Sequence, residues 1–193
     1  IGFTETIKGI VDFRGSKYVQ SRIDNSYKDC EKFLKQGRKV LFSGTPCQIA
    51  GLRNFLKKSY PLLYTVDIIC HGVPSPKVWW LYLNEILKDE ATKNDSSISI
   101  ESIKKIEFRN KQEGWRKYHF VLTFEEICGR DKKQVSLSSV YQDDLYMKAF
   151  LQNLILRPSC YECKFRDGRC HSDISLADFW AANAVMPQFD DDK

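Results

Sequence analysis

Two short apolar runs constrain this 193-residue chain more than anything else in it. Each ends in a turn that contains glycine, proline and one cysteine, and each is followed by a helical pattern. Lys39 to Phe42 is the first run. It leads into Ser43-Gly44-Thr45-Pro46-Cys47-Gln48 and then a helix from Ile49 to Lys57, in which Ile49, Leu52, Phe55 and Leu56 share one face. Leu63 to Ile69 is the second, ending in Cys70-His71-Gly72-Val73-Pro74. Ser75-Pro76 then opens a helix to about Lys88, because proline suits the first helical turn. Strand, loop and helix repeated in this order predict an α/β unit with a parallel strand pair. Both turns fall at carboxyl ends of strands, on the edge where open α/β sheets bind ligands.

The rest of the chain is built around that unit. Asp24 to Gln36 reads as a helix, with Asp24-Asn25-Ser26 as a cap and Gly37 as a stop. Ala91 to Ser99 reads as a polar loop. Lys105 to Arg109, Lys117 to Phe124 and Gln134 to Ser138 are rich in aromatic and β-branched residues and predict an antiparallel insertion over about residues 100–140. Asp143 to Leu156 reads as a helix, followed by a cysteine-rich loop and a final strand over Asp173 to Phe179. The expected fold class is α/β: a short, mostly parallel sheet flanked by helices, with an antiparallel β insertion and a cysteine-rich loop, in a single domain over residues 1–193.

Composition excludes several functions. Hydrophobic residues at 42% and charged residues at 28% are ordinary for a globular protein with a sizeable core. No apolar run reaches the length of a membrane span, and Ile1 opens no signal peptide, so the expected location is cytoplasmic. The net charge of +5 is spread along the chain. Nucleic-acid binding would call for a concentrated basic stripe or a known motif, and neither is present.

Seven cysteines is a high and odd number for a chain without a secretory signal. In a reducing compartment such residues bind metal, react, or sit buried. Cys160-Tyr-Glu-Cys163 is a C-x2-C pair, which can bring two thiolates to one centre. Cys47 and Cys70 each follow a predicted strand on the same edge. Together the four supply the thiolates that a [4Fe–4S] cluster requires. A second set, Cys160, Cys163, Cys170 and His171, has the composition of a Cys3His zinc site, although adjacent ligands at 170 and 171 would strain it. Cys30, within a helix, and Cys128, in a charged turn, read as structural. Ser43-Gly44-Thr45-Pro46 at a helix start offers backbone donors to an anion such as a cofactor phosphate, or simply caps the helix. His71 could relay a proton, donate to a cluster sulfide or cap the next helix.

Several stretches resemble the coenzyme F420 hydrogenase/dehydrogenase beta-subunit family, C-terminal domain. They are Lys17-Tyr-Val-Gln-Ser21, Leu41-Phe-Ser-Gly-Thr-Pro-Cys-Gln-Ile-Ala-Gly-Leu52, Val66-Asp-Ile-Ile-Cys-His-Gly-Val-Pro-Ser75, Arg157-Pro-Ser-Cys-Tyr-Glu-Cys163 and Ser172-Asp-Ile-Ser-Leu-Ala-Asp-Phe-Trp180. The resemblance implies an iron–sulfur flavoprotein with FAD and a [4Fe–4S] cluster that exchanges hydride with coenzyme F420 or another reduced donor. It implies Cys47, Cys70, Cys160 and Cys163 as cluster ligands and Gly44, Thr45 and Gln48 near the flavin. Lys17, Tyr18, Gln20 and Ser21 would line the cofactor cleft. Lys17 and His71 are the candidate catalytic side chains. The implied partners are a small-molecule substrate and a redox partner protein or ferredoxin-like domain.

The chain departs from the family in having no ferredoxin-like C-x2-C-x2-C-x3-C-P run, and relatives continue past Lys193, so it reads as a fragment. Its last motif resembles bacterial relatives found near surface-polysaccharide genes. A zinc-stabilised, non-catalytic scaffold in polysaccharide biosynthesis is therefore the alternative expectation.

Overall fold

The computed structural model describes residues 2–94, 98–128, 131–166 and 168–189. Helix α1 (Ser26–Lys35) precedes β1 (Val40–Gly44), α2 (Pro46–Leu56) and β2 (Leu63–Ile68), and α3 (Pro76–Asn94) follows. Strands β3 (Ile103–Asn110), β4 (His119–Cys128) and β5 (Asp131–Val140) come next. The chain continues through α4 (Leu145–Leu151), α5 (Pro158–Tyr161), β6 (Ile174–Leu176) and α6 (Ala182–Val185). The fold is α/β, with one three-stranded parallel sheet in the order β1-β2-β6 and one three-stranded antiparallel sheet in the order β3-β4-β5.

Alternation along the parallel strands sorts their side chains onto two faces. Phe42, Thr65 and Asp67 are buried. Phe42 packs with Cys30 and Leu34 of α1 and with Ile49, Leu52 and Leu56 of α2. The other face carries Leu41, Tyr64, Ile68, Ile174 and Leu176, all exposed. The antiparallel sheet forms a second core, in which Phe108, Phe120, Leu122 and Phe124 meet Trp79, Leu83 and Leu87 of α3 and Tyr146 and Met147 of α4.

Three expected boundaries change. Helix α3 runs through Asn94, so residues 91–94 are helical, while 95–97 lie outside the described residues. Leu87 is the last residue of the helix buried in the second core, and the added turn beyond Lys88 carries the Glu90–Lys93 ion pair at 2.6 Å. The helix expected over Asp143 to Leu156 spans only Leu145–Leu151. Asp144 caps its start by accepting the Met147 N–H at 2.8 Å. Asn153, at φ +62°, closes its end. Leu154 N–H donates to the Ala149 carbonyl (2.8 Å) and Asn153 N–H to the Phe150 carbonyl (3.0 Å), the two bonds of a Schellman cap. The final strand shrinks to Ile174–Leu176, because its partner β2 ends at Ile68 and the last rung is Ile69 N–H to the Leu176 carbonyl.

Candidate functional site

Parallel pairing of β1 with β2 and of β2 with β6 puts three strand ends on one edge: Gly44, Ile68 and Leu176. Thr45 and the first helical turn of α2, which carries Cys47, follow the first strand, and Ile69 to Gly72 and Ala177 to Trp180 follow the other two. The shared edge expected for Cys47 and Cys70 is thus present.

The first turn is built around Gln48. Its Oε1 accepts the Thr45 N–H at 2.9 Å, and its Nε2 donates to Ser21 Oγ at 2.7 Å. A Cβ on Gly44 would come within 2.9 Å of Gln48 Oε1, so glycine is needed for this approach. Pro46 has no N–H, and those of Thr45 and Gln48 are spent locally, which narrows the helix start as an anion site. Cys47 is exposed, and its Sγ lies 3.3 Å from Thr45 Oγ1.

The second turn brings the C-x2-C loop to Cys70. Gly72 has φ +147°, and a Cβ there would meet Leu156 Cδ1 at 2.7 Å. With glycine in place the chain runs antiparallel to the segment after α4. Ser75 N–H donates to the Ile155 carbonyl, Pro74 bridges Leu156, and Arg157 N–H donates to the Val73 carbonyl. Three residues on, Cys160 Sγ points to that same Val73 carbonyl at 4.0 Å. Arg166 holds the loop by donating to the carbonyls of Cys160 and Tyr161.

Burial pushes the Cys70 thiol up, a hydrogen bond from Gly72 offsets part of this, and charge on Cys47, Cys160 and Cys163 pushes it further up. The pairing of residues 73–75 with 155–157 sets the loop that carries Cys160 and Cys163 against the turn that carries Cys70. All four are free. The remaining described cysteines are elsewhere. Cys30 is buried in α1, and burial pushes its thiol up to about 11. Cys170 is buried and donates to Asp67 Oδ2 at 3.2 Å, while His171 is exposed at φ +57°. Cys128 ends β4, and its side chain lies outside the described residues.

No three His, Cys, Asp or Glu side chains among the described residues stand in the geometry of a single ion site. A four-iron cluster places each thiolate on a separate iron, so its ligands stand further apart than those of one ion. The donor chemistry of four free thiols fits such a cluster.

The other candidate residues divide into two groups. Ser21 is tied to Gln48 across the mouth of the first turn. Gln20 is exposed beside it. His71 Nε2 donates to the Phe150 carbonyl at 3.0 Å, which puts a proton on Nε2 and leaves Nδ1 clear of that bond. Tyr18 stacks on Phe150 at 4.7 Å, and the His71 ring rests against the same Phe150. Lys17 is turned elsewhere: its ammonium donates to the carbonyls of Phe13, Arg14 and Gly15.

One residue of this edge had no mark in the sequence. Arg109 reaches Asp178, 69 positions away, with an Nη1–Oδ2 distance of 2.5 Å. Arg109 closes a stretch read only as a strand and Asp178 sits within the last family-like motif, and no local pattern announces a pairing at that separation.

The carboxyl edge of a parallel α/β sheet thus carries Cys47 and Cys70, with the C-x2-C loop tied to the turn after Cys70. The chain belongs to the family formed by the C terminus of the coenzyme F420 hydrogenase/dehydrogenase beta subunit, whose model matches residues 37–192. The domain is therefore related to oxidoreductase beta subunits. A comparison with curated proteins finds no match.

Proposed function

We propose that the chain forms the cofactor-holding part of an iron–sulfur flavoprotein oxidoreductase. Cys47, Cys70, Cys160 and Cys163 hold a [4Fe–4S] cluster, and FAD lies beside the Gly44–Gln48 turn. When bound, the flavin supplies hydride exchange with coenzyme F420 or another reduced donor, and the cluster supplies one-electron transfer. The observation that carries this reading is the backbone pairing of residues 73–75 with 155–157, which sets the C-x2-C loop against the turn after Cys70, taken with family membership.

The chain's own residues bind and orient. Gln48 and Ser21 fix the first turn against the Lys17–Ser21 segment. Pairing of Val73–Ser75 with Ile155–Arg157 fixes the distance between Cys70 and the C-x2-C loop. His71, anchored through Nε2, presents Nδ1 as a proton acceptor. A ferredoxin-like domain or redox protein is the electron partner, and a small molecule is the substrate.

Anaerobic reconstitution with iron and sulfide tests the reading. The expected product contains about four irons and four sulfides per chain, with charge-transfer absorbance in the visible, and Cys47→Ser loses iron and colour. One zinc per chain with no labile sulfide, unaffected by Cys47→Ser, would overturn it in favour of a zinc-stabilised scaffold.

A further inference from the structure

Arg109, on β3, is held in an unusual state. Its side chain is only 8% exposed. Nη1 donates to Asp178, but Nε and Nη2 are buried with no hydrogen-bond partner among the described residues. A guanidinium stays charged at any ordinary pH, and a buried donor without a partner is costly, more so on a charged group. The surroundings hold the cation without supplying acceptors. Its Cζ lies 4.8 Å from the Tyr118 ring centroid and 5.6 Å from that of Trp180, and Trp115 packs on Trp180 at 4.6 Å. Aromatic faces attract a cation, but they do not replace hydrogen bonds.

The two unpartnered nitrogens are the pair that forms the side-on fork of a guanidinium. That edge matches two oxygens of a carboxylate or phosphate. Its location is also that of a ligand site. Asp178 and Trp180 follow β6, at the same sheet edge as Gly44 and Cys70. A second cation, Arg116, stands at the same aromatic cluster, with its Cζ 5.4 Å from the Trp115 ring centroid, and Lys17 is committed to three backbone carbonyls.

We propose that Arg109 is an oxyanion-binding residue, whose Nε–Nη2 edge takes the carboxylate or phosphate of an organic ligand with a flat body lying against Trp180 and Trp115. Trp180 is about half exposed, which leaves one face of its ring open to a flat ligand. Asp178 holds the guanidinium in register and competes weakly with the incoming anion. Binding at Arg109 requires neither the cluster nor the flavin.

Tryptophan emission of the full chain, titrated at constant ionic strength, reads this site. Two matched pairs serve as probes: adenosine monophosphate against adenosine for phosphate, and benzoate against benzamide for carboxylate. One anion is expected to quench saturably with at least about tenfold higher affinity than its neutral partner, and which one does so identifies the oxyanion. Arg109→Gln erases the difference. Arg109→Lys, which keeps charge but not the fork, loses most of it. Asp178→Asn removes the competing carboxylate and tightens anion binding, which a purely structural ion pair would not do. Equal affinity for anion and neutral partner, full discrimination in Arg109→Lys, or weaker anion binding in a folded Asp178→Asn overturns the proposal. Near-ultraviolet circular dichroism checks folding; if Arg109→Gln does not fold, the other two variants decide.

Discussion

At Asp67, three donors converge on one buried carboxylate near the carboxyl end of β2: Cys170, Ser172 and Ser175. Burial opposes its charge, but the hydrogen bonds from Ser175, Ser172 and Cys170 outweigh it and hold the carboxyl below the usual aspartate value. A lowered folded-state value means that the stabilisation is fully present above the ordinary aspartate range, about 3.9. It is lost as pH falls through the lower folded value. Asp67→Asn is expected to cost about 1–3 kcal/mol at neutral pH. It should also flatten the acid limb of stability, measured by urea unfolding between neutral pH and the acid transition. A variant that loses stability equally at all pH values would contradict this account. Ser172 and Ser175 stood inside a recognisable motif, yet their role depends on a carboxylate more than a hundred residues upstream.

The element that decides the site is the end of α4. Asn153 takes the left-handed conformation that favours glycine and is tolerated by asparagine, and it reverses the chain through a Schellman cap. The reversed segment pairs with residues 73–75 and delivers Cys160 to Cys70. Asn153→Gly is therefore expected to be neutral or slightly stabilising, whereas Asn153→Val should cost about 1–2 kcal/mol. Because the same turn aims the C-x2-C loop, the valine variant should also reconstitute with less iron than the glycine variant. Thermal unfolding and iron counts on the pair check both parts. The asparagine was visible as a helix-stop residue, but apolar spacing through Leu156 masked it.

For the whole molecule, two cores of different character lie under two sheets. The antiparallel core is aromatic, with Trp79 packed among Phe108, Phe120 and Tyr146. The parallel core is aliphatic and covers only one sheet face, which leaves Leu41, Tyr64, Ile68, Ile174 and Leu176 exposed. Parallel sheets usually have both faces covered. Stability of the chain should thus be asymmetric across this sheet. Ile49→Ala, fully buried beneath it, is expected to cost about 2–5 kcal/mol, while Leu41→Thr on the open face should change stability by no more than about 0.5 kcal/mol. Denaturant midpoints of the two variants measure the contrast. Among the described residues no helix is long and apolar enough to cross a membrane.

Sequence alone determined the parallel α/β unit, the antiparallel insertion and the shared edge of Cys47 and Cys70, since these follow from short-range periodicity and from glycine and proline at fixed offsets. It also separated Cys160 and Cys163 from the other cysteines by their spacing. Tertiary structure alone decided that the C-x2-C loop meets Cys70, because that contact rests on one left-handed residue and a backbone pairing between segments about eighty positions apart. It alone tied Cys170 to Asp67, and turned Lys17 onto its own backbone. Arg109 belongs wholly to this second class: its burial, its aromatic surroundings and its unpartnered donors arise where β3 meets the turn after β6, and no local pattern encodes such a meeting.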